Sequence, residues 1–298
     1  MSTFIVNLIR NYCVLFPIHI GKGKLMRLGR KLLLQGKDSI SLLAHSKHGI
    51  DMEITLPQDA GWDVLYFRET YETGTTKVFE TLLRENDTVL DIGANMGWYT
   101  ILSAKLCSKG VVHAFEPVPF IFNKLNKNCE LNKVGDNIVF NNCALGDEKE
   151  GSITMYTFKG LYHGHSSMST LNRNDFVSVQ VPMTTLDNYI ATQHISNIDF
   201  IKMDTEGAEM KVLDGAHELM SSENPPIWLI ELNEETSAAF GYKPHELIDR
   251  LLAYHPYTLY AVKGAWGKAV PMKNSHDYTN GDNLLCIPMH RRNSIKKL

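Results

Sequence analysis

This 298-residue chain is poor in several features, and each shortage narrows what the protein can be. No segment reaches the roughly 18 uninterrupted apolar residues of a membrane-crossing helix. The apolar N-terminal stretch from Phe4 to Ile20 is interrupted by Arg10 and has no small-residue cleavage signal, so it does not read as a signal peptide. Cysteine is scarce and scattered: Cys13, Cys107, Cys129, Cys143 and Cys286 are odd in number and form no C-x-x-C pair. That pattern predicts reduced thiols in a cytoplasmic setting and no metal site of the zinc type. Cys107, Cys129 and Cys143 fall within apolar patterns and read as core. Charge of one sign is also lacking: the formal net charge of -3 argues against broad nucleic-acid binding. There is no internal repeat and no low-complexity segment. What remains is an ordinary globular composition, 44% hydrophobic, long enough for one domain with extensions.

The informative stretch runs from Asp87 to Thr100. Thr88 to Ile92 is a short β-branched and apolar run that reads as a buried strand, with Asp91 near its end. Gly93 and Gly97 follow, with Ala94 and Asn95 between them, and a helical pattern starts at about Trp98. Strand, glycine turn and helix make the first unit of a doubly wound sheet, whose ligands bind beyond the carboxyl ends of the strands. A Walker A loop would need Gly-Lys-Ser/Thr where this chain has Gly97-Trp98-Tyr99. A dinucleotide fingerprint would need a third glycine. Asp91 would repel a pyrophosphate but suits a cationic amino-acid ligand such as S-adenosylmethionine. A second acid, Glu116, ends the next strand-like run, Val111 to Phe115, where a carboxylate can accept hydrogen bonds from ribose hydroxyls.

Five motifs then occur in order: Tyr71-Glu72, Asp91 to Gly97, Phe115-Glu116-Pro117, Ala144-Leu145-Gly146-Asp147, and Asp204-Thr205-Glu206-Gly207-Ala208-Glu209. With these motifs the chain resembles the FkbM family of class I methyltransferases over roughly Tyr66 to Leu232. The resemblance implies a Rossmann-like, doubly wound α/β fold with a mostly parallel seven-stranded sheet and an antiparallel last strand. It implies S-adenosylmethionine as cofactor, held by Glu72, Asp91, Gly93, Ala94, Asn95, Gly97, Tyr99, Glu116, Pro117, Ala144, Asp147 and Asp204. For Glu72 a solvated helix acid, and for Asp147 a turn cap, are equally open readings.

Around this core the sequence predicts three regions: an N-terminal helical and β extension over residues 1–64, a methyltransferase domain over 65–290, and a basic frayed tail over 291–298. Phe4, Ile5, Leu8 and Ile9 suit one helix face, and Pro17 should end that helix. Lys22, Lys24, Arg27, Arg30, Lys31 and Lys37, interleaved with leucines, suit either a helix packed on its own domain or peripheral contact with an anionic membrane. Gly49 to Leu56 reads as a hairpin or edge strand, and Leu65 to Leu83 as largely helical. Helices follow at Trp98–Leu106, Pro119–Asn132 (with Phe120, Leu125 and Leu131 inward), Ala208–Met220 and Pro244–Tyr254. Further strands are expected at Ile138–Ala144, Asp199–Met203, Ile227–Glu231, Tyr257–Val262 and Asn283–Pro288. Gly151–Phe158 and Phe176–Met183 form an inserted β-hairpin, joined by a polar loop containing His163 and His165.

Methyl transfer to a hydroxyl needs an aligned acceptor and a way to remove its proton. Asp204, at the end of the fourth strand of the nucleotide-binding order, is the expected orienting residue, with Glu206 or His165 as base. Glu206 also suits the start of the following helix, and Lys202 can hold a nearby carboxylate. Asp204, Glu206 and Glu231 could gather around a divalent cation, but no dedicated cage is marked, so no metal is expected. The expectation is an O-methyltransferase acting on a hydroxyl-bearing sugar or glycan. The rivals are methylation of a polyketide or other small-molecule hydroxyl, a nicotinamide oxidoreductase, and a ligand-binding protein without turnover.

Overall fold

The computed structural model describes residues 2–16, 21–158, 166–171, 174–263 and 268–297. They divide into two compact units, one formed within Met1–Glu72 together with Phe158, the other within Thr73–Thr157 and Ser166–Leu298.

The first unit has helices α1 (Ser2–Leu15), α2 (Lys22–Leu33) and α3 (Asp63–Arg68), and an antiparallel hairpin of β1 (Ile40–His45) and β2 (Asp51–Leu56). Its helical core is Val6, Ile9, Cys13 and Phe67, so α3 packs with α1 and belongs to the extension. The first unit's helices end before Glu72. In α1 the inward residues are Val6, Ile9 and Cys13, whereas Phe4 and Leu8 face water. Lys22 is buried and donates to the carbonyls of Cys13 at 2.7 Å and Phe16 at 2.5 Å, closing the end of α1. Arg30 forks onto Asp63 with two 2.8 Å hydrogen bonds, tying α2 to α3. Gly29 sits where a Cβ would lie 2.6 Å from the Phe67 ring, so the α2–α3 approach needs glycine there.

The second unit opens with α4 (Thr73–Leu82). The segment Leu65–Leu83 is largely helical, as expected, but in two helices, α3 and α4; Glu69 and Glu72 between them have φ of 56° and 38°. An alternation of strands and helices follows: β3 (Thr88–Ile92), α5 (Trp98–Leu106), β4 (Val111–Phe115), α6 (Pro119–Leu131) and β5 (Ile138–Asn141). The insertion comes next, with β6 (Ala144–Leu145), β7 (Glu150–Phe158), β8 (Ser166–Ser167) and β9 (Phe176–Thr184). The chain continues through α7 (Leu186–Thr192), β10 (Phe200–Met203), α8 (Glu209–Asp214), α9 (His217–Met220), β11 (Ile227–Glu231), α10 (Glu234–Ala239), α11 (Pro244–Tyr254), β12 (Tyr257–Lys263), β13 (Lys268–Met272) and β14 (Asn283–Pro288). The large sheet has the order β13-β12-β14-β11-β10-β3-β4-β5. The five strands from β5 to β11 run parallel, and β14 inserts antiparallel between β11 and β12. This is the doubly wound α/β arrangement expected, with the order reversing between β3 and β10. Such a reversal opens a crevice at the strand ends.

Several local expectations are corrected. The large sheet has eight strands where seven were expected, because β13 adds to the edge of β12. Pro271 within β13 cannot donate to a ladder, which hides the strand in the sequence and is tolerated at an edge. The run Ile138–Ala144 splits: Ala144 and Leu145 leave the large sheet and pair with β9, making the hairpin insertion part of a four-stranded sheet, β6-β9-β7-β8. The helix expected over Ala208–Met220 breaks at Gly215, where a Cβ would lie 2.1 Å from the Gly146 carbonyl oxygen. In α6 the buried face is Ile121, Leu125 and Cys129, while Phe120 and Leu131 are exposed. Arg291 is no frayed tail residue: it is buried and reaches Asp87 and Asp199, each at 3.3 Å.

No helix among the described residues is long and apolar enough to cross a membrane. All five cysteines are free thiols.

Candidate functional site

The site is built where β3, β4 and β10 end side by side. Val89 to Ile92 is fully apolar except for Asp91, and all four residues are buried. The chain then turns sharply, with φ of 82° at Gly93, 50° at Asn95 and 97° at Gly97. Gly93 is required twice over: its φ disfavours side chains, and a Cβ would lie 1.9 Å from the Asp204 carbonyl oxygen. Asp204 in turn donates its amide to the Ile92 carbonyl at 2.9 Å, so the ends of β3 and β10 are joined backbone to backbone.

The turn's amides are committed to the protein. Gly93 and Ala94 donate to the Phe115 carbonyl, Asn95 to the Glu116 carboxylate at 3.0 Å, and Gly97 to Ala94. A pyrophosphate site needs such amides directed at the ligand, so this turn is not built as one. Glu116 also accepts from the Val118 amide at 2.9 Å through its other oxygen. Each carboxylate oxygen retains a lone pair for a further donor. Asn142 donates to the carbonyls of Glu116 and Pro117, fixing the end of β4. Nothing in the sequence of the β4 motif points to this residue, because it acts across the fold.

Three carboxylates gather here, and their charges work on one another. Burial pushes Glu116 up to about 7; its two backbone hydrogen bonds oppose this, and Asp91 and Asp204 add to it. Burial likewise pushes Asp91 up to about 6, against a 2.5 Å hydrogen bond from Thr100 and the nearby Lys202 ammonium. Asp204 differs in being partly open, 30% exposed, with Lys202 Nζ 3.6 Å from its carboxylate. Lys202 is itself buried, lies 5.3 Å from the centroid of the Tyr99 ring, and pairs in register with Asp91. The sequence expectation that Lys202 holds a carboxylate is met by Asp204. Three neighbouring carboxylates with one ammonium among them leave the site short of positive charge. That donor set fits a ligand carrying cationic groups together with hydroxyls, and S-adenosylmethionine has both.

The following turn is organised by an acid to which no role was given from sequence. Glu209 is buried and accepts from the Thr205 amide, the Thr205 hydroxyl and the Gly207 amide at 3.0 to 3.1 Å, and from the Tyr242 hydroxyl at 2.7 Å. Burial raises its pKa, opposed by the Tyr242 hydroxyl and by backbone hydrogen bonds from Glu209 itself, Gly207 and Thr205. Gly207 has φ of 104°, and a Cβ there would lie 2.6 Å from the Thr236 carbonyl oxygen. Glu206, between them, has φ of 52°, and its carbonyl accepts from Ser167 of β8 at 2.9 Å. The only sequence signal for Glu209 is its place in the last motif.

The remaining predicted residues are distributed as follows. Ala94 and Tyr99 are buried beside the turn, and Ala144 is buried in β6. Pro117 is half-buried. Asp147 is exposed and pairs with Lys211 at 2.7 Å. Glu72 lies in the first unit and has φ of 38°. His163 and His165 lie outside the described residues. No group of three or more His, Cys, Asp and Glu among the described residues is placed to hold a metal ion.

Residues 91–259 match the sequence model of the Methyltransferase FkbM domain. Among curated proteins, 31-O-demethyl-FK506 methyltransferase FkbM from Streptomyces tacrolimicus is 32% identical over 163 residues, 46% of this chain and 62% of that protein. Methyltransferase 1 from Beauveria bassiana is 28% identical over 145 residues, 43% of this chain and 57% of that protein. The chain thus spans between 57% and 62% of the length of these relatives. Among solved structures, that of P. horikoshii TYW2 in complex with MeSAdo aligns with a TM-score of 0.44 at 14% identity, over 89% of this chain and 81% of that one.

Proposed function

Because this chain belongs to the FkbM family of S-adenosylmethionine-dependent methyltransferases, we propose that it transfers a methyl group to a hydroxyl oxygen, that of a sugar or glycan, in a reducing, cytoplasmic compartment. The observation that carries the reaction is Asp204: a partly open carboxylate, anchored through its own backbone to the end of β3 and held by a buried ammonium. The compartment is supported by the five free thiols.

When bound, S-adenosylmethionine supplies an electrophilic methyl carbon on a positively charged sulfur. Glu116 would hold the ribose hydroxyls with the lone pairs its two amide donors leave, and the pocket's acids would favour the ligand's cations. Asp204 would orient the acceptor so that its hydroxyl oxygen meets the methyl group in line, which is where most of the rate is gained. Methylation of the hydroxyl would also require its proton to pass to a nearby base. Glu206 is proposed as that base, with His165 as its rival. Lys202 keeps Asp204 oriented.

The sugar acceptor is supported by the hydroxyl-rich, histidine-containing sequence between β7 and β9. A second reading, a hydroxyl on a polyketide or other small molecule, is favoured by the name of the 32% identical relative, a 31-O-demethyl-FK506 methyltransferase.

Calorimetry with S-adenosylmethionine, S-adenosylhomocysteine and NAD⁺ tests the cofactor, and a labelled methyl donor with glycan and polyketide acceptors tests the substrate. Asp204→Asn should lower kcat by about 10²-fold or more while S-adenosylhomocysteine binding stays within a few-fold. Nearly full turnover in Glu206→Gln would remove Glu206 as base. Binding of NAD⁺ without either sulfur ligand would overturn the reading.

A further inference from the structure

The first 37 residues contain seven lysines and arginines and no aspartate or glutamate; the first acid is Asp38. This segment therefore carries a formal +7 in a chain whose total is -3, leaving -10 for the rest. The structure divides the seven cations by task. Arg10 is bonded to the Tyr66 carbonyl and Glu69, Lys22 closes α1, and Arg30 holds Asp63. The other four, Lys24, Arg27, Lys31 and Lys37, are exposed. Lys24, Arg27 and Lys31 recur at helical spacing on α2, with exposed Leu28 among them.

Apolar exposure is concentrated in the same place. Five of the eleven exposed large hydrophobic residues among those described are Phe4, Leu8, Leu15, Phe16 and Leu28. Phe4, Leu8 and Leu15 are spaced by four and seven, so they form one stripe along α1, opposite the Val6, Ile9 and Cys13 face that packs inward. Their exposures are 67%, 52% and 75%. A short helix with an apolar outer stripe, beside a helix with a cationic outer face, is the composition of an element that lies in a membrane interface. At 14 residues α1 would extend about 21 Å, too short to span the roughly 30 Å hydrocarbon layer.

We propose that the N-terminal helical pair docks on an anionic lipid bilayer, inserting the Phe4–Leu8–Leu15 stripe between headgroups while Lys24, Arg27 and Lys31 meet acidic lipids. Charge complementarity selects this occupant. A second copy of the chain would bring two such cationic segments together, whereas a bilayer of acidic lipid supplies dense negative charge and an apolar interior at once. The inference is independent of the methyl-transfer chemistry. For an enzyme of this kind it would place the catalytic unit near membrane-bound acceptors.

The test is flotation of the full chain with neutral phosphatidylcholine vesicles and with vesicles containing 30 mol% (about a third) phosphatidylglycerol, at low and high salt. Wild type should float with the anionic vesicles and be released by salt. Each cation near an anionic surface strengthens binding about fivefold, so the triple variant Lys24→Ala, Arg27→Ala, Lys31→Ala should bind on the order of 100-fold more weakly. Leu8→Ser with Leu15→Ser should weaken binding by at least about tenfold. All these positions are exposed, so melting curves should match wild type and separate lost binding from lost folding. Three results would overturn the proposal: no flotation of folded wild type, equal flotation with neutral and anionic vesicles, or unchanged binding in the triple variant. Concentration-dependent dimerisation abolished by the leucine variants, without vesicle binding, would assign the stripe to a second copy instead.

Discussion

Glu116 shows how a single side chain can record the presence of an absent partner. Its carboxyl is buried, and that burial outweighs two backbone amide donors, leaving it at about 7 against an ordinary value of 4.5. The folded protein therefore holds this proton more tightly than the unfolded chain does. Its contribution to stability is fully present below about 4.5 and is lost as pH rises through about 7, a swing on the order of 3 kcal/mol. Glu116→Gln cannot ionise, so the stability of wild type relative to this variant should fall between pH 5 and 8 in the ligand-free protein. Parallel denaturation series for the two proteins check this, and a constant difference across the range would contradict it. Asp91 should act in the same direction at lower pH, since its carboxyl lies at about 6. Ligand cations that favour the ionised carboxylates should strengthen in affinity as pH rises through the same window.

Between elements, the controlling contact is that of the β3 turn with the end of β10. A Cβ at Gly93 would lie 1.9 Å from the Asp204 carbonyl oxygen, at a backbone φ of 82° that side chains disfavour. Gly93→Ala should therefore cost more than about 3 kcal/mol and displace Asp204, with turnover lost even where a folded fraction survives at low temperature. Urea unfolding together with a methyl-transfer assay measures both effects; a stable and active variant would show that the two strand ends are not in fact locked together. This contact also marks how far the sequence could be read. Asp91 and Gly93 were legible because an acid and a glycine turn are contiguous in sequence, and Glu116 because it ends the next strand-like run. Asp204 and Glu209 were visible only as members of a recurring motif. What organises them is long-range: Thr100 against Asp91, Tyr242 against Glu209, Asn142 against the end of β4. Arg291 escaped for the same reason, since nothing local distinguishes a tail arginine from one that bridges Asp87 and Asp199. The break at Gly215 was missed because apolar spacing continues across it while the backbone does not.

Within the eight-stranded sheet, the candidate site lies at the ends of β10, β3 and β4, and the added strand β13 forms the edge four strands away from β10. That separation makes a whole-chain measurement diagnostic. A ligand at 100 times its dissociation constant stabilises the state that binds it by about 2.7 kcal/mol. Amides that exchange only through opening of the site should then slow by up to about 100-fold. Hydrogen exchange with saturating S-adenosylhomocysteine should show this slowing in peptides covering 91–100, 114–118 and 203–209, the segments that the Glu116, Asp204 and Glu209 hydrogen bonds tie together. Peptides covering β12 and β13 should change least, because β14, β11 and β10 stand between them and β3. Slowing centred on β12 and β13 would move the cofactor to the β13 edge of the sheet. Slowing at 91–100 and 114–118 without 203–209 would keep the cofactor in place but separate Asp204 from it, and the orienting role proposed for Asp204 would fall.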